Sequence, residues 1–136
     1  MVSSSRKIIL VNIRPETKID LQVHLKEIGV HTGVSAVTSS AKAAELAASY
    51  KKTGEQLALV IFDQDSEADT GELDAFKRKM LEIELGYLPK MVMITSQHAK
   101  RGREDSTKRS DIDFELQKPV RKQSLKKMLS TLSYKY

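Results

Sequence analysis

Continuous apolar runs of four to six residues alternate in this chain with longer segments in which apolar side chains return every three or four positions. The runs Ile8-Ile9-Leu10-Val11, Leu57-Ala58-Leu59-Val60-Ile61-Phe62 and Met91-Val92-Met93-Ile94 leave no polar face. They predict strands covered on both sides, as in a parallel sheet between helices. The first strand is read as Lys7 to Val11, a short second as Val34 to Val37, and the fourth as Lys90 to Thr95, with Asp63 closing the third. Between them, Leu21, Leu25 and Ile28 recur at helical spacing and predict a helix from about Glu16 to Ile28, stopped by Gly29. Thr38-Ser39-Ser40 caps an alanine-rich helix, Ala41 to Tyr50, whose small residues suit close packing on a sheet; Lys51 to Glu55 reads as a polar loop. Leu73, Phe76, Met80 and Ile83 mark one face of a third helix, about Leu73 to Leu85. Alternating strands and helices predict an α/β fold with a doubly wound, three-layer parallel sheet rather than a sandwich or a bundle.

Composition narrows the class. With 136 residues, 40% of them apolar and 30% charged, the whole chain, 1–136, is expected to be a single globular domain, with residues 1–6 as a flexible lead. No run of about 18 apolar residues exists to span a membrane. The segment Met1-Val2-Ser3-Ser4-Ser5 lacks the apolar stretch of a signal peptide. The absence of cysteine excludes disulfides, thiolate metal sites and cysteine nucleophiles, and fits the reducing cytoplasm, the expected location.

Three predicted strand ends carry chemistry: a carboxylate at Asp63, a hydroxyl at Thr95 and an ammonium at Lys118, which is followed by Pro119. In a parallel α/β sheet the loops at the carboxyl ends of the strands form the functional crevice, so these groups converge on one edge and suggest a phosphoryl site. Each taken singly is more commonly a residue that ends a strand in a turn. Their order and spacing, with Gly71 eight residues after Asp63, Met93-Ile94-Thr95-Ser96 before Arg101-Gly102-Arg103, and Lys118-Pro119-Val120-Arg121 before Ser124-Leu125, resemble a response-regulator receiver domain. The receivers attached to hybrid sensor histidine kinases are the most similar. The resemblance runs from Lys7 to about Leu132. It implies a flavodoxin-like, receiver-type sheet of five parallel strands in the order 2-1-3-4-5, with the fifth strand and last helix around Lys118 to Leu125. It further implies that Asp63 accepts a phosphoryl group from a phosphohistidine, and that Thr95 and Lys118 contact the phosphoryl oxygens. The implied partners are a histidine kinase or phosphotransfer domain and neighbouring domains of the same chain.

The departures from the family pattern bear on the metal. Where the family places two acidic residues after the first strand, this chain has Asn12-Ile13-Arg14. Magnesium wants hard, preferably anionic oxygen ligands in near-octahedral array; Ile13 offers none and Asn12 only a neutral amide. A family site carries three carboxylates and one lysine, formally −2, whereas Asp63 and Lys118 here sum to zero and Arg14 adds positive charge. The expected metal set of Asn12, Asp63 and the Asp65 carbonyl therefore binds magnesium weakly or not at all. Asp65, Glu67 and Asp69 in the following loop read either as substitutes for a lost ligand or as a solvated acidic loop. Glu67 also stands where the family has a loop proline, and Thr70 where it has an acidic residue before the glycine. Residues 97–111 hold Ala99 as their sole apolar side chain, so the fourth helix position is expected to be short or frayed. The family's aromatic, three residues before the lysine, is replaced by Glu115, with Phe114 on the opposite side of the strand.

Net charge of +5 and a pI near 9.4 raise the question of nucleic acid. Two clusters of basic residues stand out, Lys100 to Arg109 and Arg121 to Lys127, with no aromatic interleaved to stack on bases, so nucleic-acid binding is the distant alternative. His24, His31 and His98 lie in different elements without metal-ligand spacing and read as structural or surface residues. The sequence thus favours a degenerate receiver-like interaction module over a phosphorylation-competent receiver using Asp63, and over an enzyme.

Overall fold

The computed structural model describes residues 6–30, 33–63, 72–84, 86–95, 112–132 and 134. Along them run β1 (Arg6–Val11), α1 (Pro15–Ile28), β2 (Val34–Val37), α2 (Ser40–Thr53), β3 (Gln56–Asp63), α3 (Glu72–Ile83), β4 (Lys90–Thr95), β5 (Phe114–Gln117) and α4 (Lys122–Thr131). The strands form one five-stranded sheet in the order β2-β1-β3-β4-β5, and every pairing is parallel. The unbroken apolar runs sit in the three inner strands, β1, β3 and β4, because only there are both faces of a strand covered.

Period-two alternation divides those side chains between two cores. Ile8, Leu10, Ile61, Val92, Ile94 and Leu116 face one layer, where Leu21 and Leu25 of α1 and Leu125, Met128 and Leu129 of α4 close over them. Ile9, Val11, Val60, Phe62, Met91 and Met93 face the other, against α2 and α3. Ala43 and Ala47 let α2 lie close to the sheet, and Phe76 of α3 meets Phe62 edge-on at 6.0 Å between ring centroids. Such a pair contributes about 1 kcal/mol beyond its buried area.

The predicted elements are present, with shifted ends that have local causes. β1 begins at Arg6, inside the stretch expected to be a lead, because Arg6 pairs with Gln56. α1 starts at Pro15, whose fixed φ and missing N–H suit the first helical position. α2 runs on to Thr53, so Lys51, Lys52 and Thr53, read from sequence as loop, form its last turn. Gly54 ends it in the left-handed conformation (φ +79), donating its N–H back to the Lys51 and Tyr50 carbonyls. The lysines there favour the negative end of the helix dipole, and Lys51 Nζ also reaches the Ile83 and Glu84 carbonyls at the end of α3 (2.9 and 2.7 Å). Ser39 caps the start of α2 by accepting from the Lys42 amide at 3.3 Å. β5 lies at Phe114–Gln117, just before Lys118, and the last helix, Lys122–Thr131, holds Ser124 and Leu125 as expected. Gly33 is required by geometry: its φ is +84 and an added Cβ would stand 2.9 Å from the Arg6 carbonyl oxygen. The expectation of a frayed segment at 97–111 lies outside the described residues, as do the lead residues 1–5 and the candidate loop ligand Asp65.

Candidate functional site at the carboxyl edge of the sheet

Asp63 ends β3, Thr95 ends β4, and Lys118 is the first residue beyond β5. Because the strands are parallel, all three arrive at the same edge. The register brings them together: Asp63 is opposite Ile94, Thr95 is opposite Gln117, and the Lys118 amide donates to the Thr95 carbonyl at 2.8 Å. Asp63 and Thr95 are buried, at 1% and 2% exposure, and among the described residues Asp63 is the one charged side chain buried so deeply.

A buried carboxylate requires compensation, since desolvation without a partner costs several kcal/mol. Lys118 supplies it, with Nζ 3.1 Å from Asp63 Oδ1. The other oxygen, Oδ2, accepts a hydrogen bond from the backbone amide of Arg14 at 3.2 Å. That donor is delivered by the turn after β1. Asn12 adopts a left-handed φ of +50, a conformation asparagine tolerates better than most residues, and its own amide is anchored on the Val37 carbonyl at 2.8 Å. Sequence gave no sign of this contact, because a backbone N–H belongs to every residue but proline, and its aim depends on the path of the chain. Arg14 was expected to add positive charge; its side chain is exposed and its contact with Asp63 is through the backbone amide. The Thr95 hydroxyl donates to the Leu116 carbonyl at 3.5 Å, a long contact it can exchange for another acceptor.

Ile13 is turned away from this chemistry. It is 7% exposed and packs in the core beneath α1 and α4, so the position that carries an acidic residue in receivers here contributes to packing instead. Asn12 brings a neutral amide oxygen, and among the described residues no group of three His, Cys, Asp or Glu side chains could hold a metal ion. Glu115 is exposed on β5, while Phe114 packs against the α1/α4 layer, on the side opposite to the one the family's aromatic would occupy. Arg121, just before α4, and Lys122, Lys126 and Lys127 on it are exposed, with Lys122 Nζ 3.7 Å from Glu27 of α1. His24 lies 3.6 Å from the carboxylate of Glu27 on the same helix, in keeping with a structural role; His31 and His98 are outside the described residues. No helix among the described residues is long and apolar enough to cross a membrane.

No family model matches this sequence, and no curated protein sequence matches it. Solved structures do. The chain is similar to the signal receiver domain of an HD domain-containing protein from Pseudomonas fluorescens Pf-5, with 16% identity over 98% of this chain and 91% of that one, at a TM-score of 0.66. It is also similar to the N-terminal signal receiver domain of a two-component system response regulator from Bacteroides fragilis, at 18% identity, 98% and 100% coverage and a TM-score of 0.60. An uncharacterized protein from Neptuniibacter caesariensis matches at 19% identity, 94% and 87% coverage and a TM-score of 0.66. Likeness at such low identity speaks for the fold. The strand order, the helices on both faces and these neighbours agree, and the chain has the flavodoxin-like fold of response-regulator receiver domains.

Proposed function

We propose that the chain is a receiver-like signalling domain of a two-component phosphorelay, from a hybrid histidine kinase, in which metal-dependent phosphorylation is impaired. It acts mainly as an interaction module for a histidine kinase, a phosphotransfer domain or neighbouring domains of its own chain. The observation that carries this reading is the state of Asp63: Lys118 and the Arg14 amide each engage one of its oxygens, while Ile13 is packed into the core. The described donors do not fit a divalent cation. One carboxylate already paired with an ammonium and one neutral amide fall short of the anionic oxygen set that magnesium needs. Phosphoryl transfer relies on positioned positive charge to stabilise the equatorial oxygens, and Lys118 alone supplies less of it than a lysine with a metal.

A second reading keeps the chemistry, favoured by the same proximity of nucleophile and ammonium. There Asp63 attacks the phosphorus of a phosphohistidine, the phosphorus–nitrogen bond breaks toward the imidazole, Lys118 neutralises one phosphoryl oxygen and Thr95 donates to another. Incubation with a small phosphodonor in millimolar magnesium, read by intact mass, separates the two. The expected outcome is little or no phosphoryl adduct, with any trace removed by Asp63→Asn; rapid stoichiometric labelling of Asp63 would establish the second reading instead.

A further inference from the structure

We propose that the amino-terminal edge of the sheet, opposite the Asp63 edge, holds a binding site for a small aromatic carboxylate. A cavity of about 190 Å³ opens there between the first residues of β1 and β3, the loop before β4 and the chain after α4. β3 creates this space by breaking its own alternation. Lys7 pairs with Leu57 and Ile8 with Leu59, so Ala58 is an extra residue opposite a single step of β1. In a regular strand Leu57, Ala58 and Leu59 would point to alternate faces. Across this bulge all three line one cavity, while Leu57 packs with the α2/α3 core and Leu59 with the α1/α4 core. The residue at the bulge has only a methyl side chain, which leaves the space open.

The polar groups around the cavity include donors. Leu57 precedes the point where β4 joins, since Lys90 pairs with Leu59, and its amide donates instead to the Tyr87 hydroxyl at 2.8 Å. Having accepted that bond, the hydroxyl retains its own proton to donate. Tyr134 is 8% exposed and donates to the Arg6 carbonyl at 3.1 Å; burial pushes its pKa up, so it remains a neutral phenol forming part of the wall. Among the described residues of the lining the charged ones are Arg6 and Lys90, both cationic, and none is a carboxylate. Leu59, Leu88 and Leu132 give it an apolar body.

A matching ligand carries one negative charge on a compact apolar frame. The volume is of the order of the ~150 Å³ engineered cavity that accepts benzene, so a benzoate-sized acid fits. Inorganic phosphate would satisfy the cations but leave the apolar wall unfilled, and a neutral aromatic would gain nothing from the charges. The cavity lies roughly 20 Å from Asp63, six strand residues at about 3.3 Å each, so the proposal is independent of phosphoryl chemistry at the other edge.

Benzoate, benzamide and inorganic phosphate titrated into the labelled protein, with backbone amides followed by NMR, test it. Benzoate should give saturable shifts at Leu57, Ala58, Leu59 and Lys90, benzamide should bind at least tenfold more weakly, and phosphate should give no saturable shift at these residues. Ala58→Leu should abolish benzoate binding and the exposed Lys90→Gln should weaken it about tenfold, with thermal unfolding reporting that each variant is folded. Should Ala58→Leu not fold, Lys90→Gln decides alone. Equal affinity for benzamide, saturation by phosphate at the same residues, or undiminished benzoate binding by folded Lys90→Gln would each overturn the proposal.

Discussion

The Lys118 side chain and the Arg14 backbone amide both hold Asp63, and the two behave differently under substitution. Replacing Lys118 by Ala takes the ammonium from a carboxylate with 0% side-chain exposure, and removing one member of a buried pair costs about 3 kcal/mol. Chemical denaturation should therefore show Lys118→Ala clearly less stable, and adding Asp63→Asn should recover much of the loss because the uncompensated charge is gone. A Lys118→Ala protein as stable as the parent would mean the ion pair does not hold the site together. At this scale the sequence disclosed the side chains and concealed the backbone. Asp63, Thr95 and Lys118 stand out as polar residues ending apolar runs, whereas the Arg14 amide and the Tyr87 hydroxyl that caps Leu57 depend on where distant turns place them.

The carboxyl end of β1 is where a family site and this one part. Asn12→Asp with Ile13→Asp adds two carboxylates and should raise magnesium affinity, but Ile13 is 7% exposed and embedded in the α1/α4 core. Losing that packing and introducing a carboxylate should cost about 2–4 kcal/mol. The expected signature is a double variant with a lower Tm than the parent in the absence of metal, and a Tm that rises with magnesium while the parent's does not, since a ligand bound only by the native state stabilises it. Equal responses of the two proteins would contradict this. The strands with the longest apolar runs, β1, β3 and β4, were legible from sequence because burial on both faces permits no polar interruption. β5 was legible only through the resemblance that places a strand end at Lys118, since its four residues at the sheet edge bury only Leu116 fully. The last turn of α2 was missed because an exposed Lys-Lys-Thr helix end has the composition of a loop, and the bulge at Ala58 escaped notice because a continuous apolar run looks the same with or without it.

Across the whole molecule, residues far apart in sequence meet where the Tyr134 hydroxyl bonds to the Arg6 carbonyl at the start of β1. Burial raises the Tyr134 pKa above its ordinary value of 10.0, with Arg6 opposing weakly. The neutral phenol is thus favoured in the folded state: the stabilisation is complete below pH 10 and is lost as pH climbs through the raised folded value. Tyr134→Phe should cost about 1 kcal/mol near neutrality, from the lost hydrogen bond, and should flatten the fall in stability above pH 10; an unchanged alkaline slope would contradict that assignment. The strand order and the meeting of Asp63 with Lys118 were legible at this scale through resemblance to a family, because residues more than fifty positions apart carry no local signal of contact.

In the proposed function a receiver fold works without the metal site that receiver chemistry uses. Titration of the labelled, unmodified protein with magnesium, alone and with beryllofluoride, followed through the amides of Asn12, Arg14, Asp63, Thr95 and Lys118, tests it most directly. The prediction is small, non-saturating shifts up to millimolar magnesium and no new set of resonances with beryllofluoride. Saturating shifts at those amides, with a distinct beryllofluoride-bound spectrum, would contradict it.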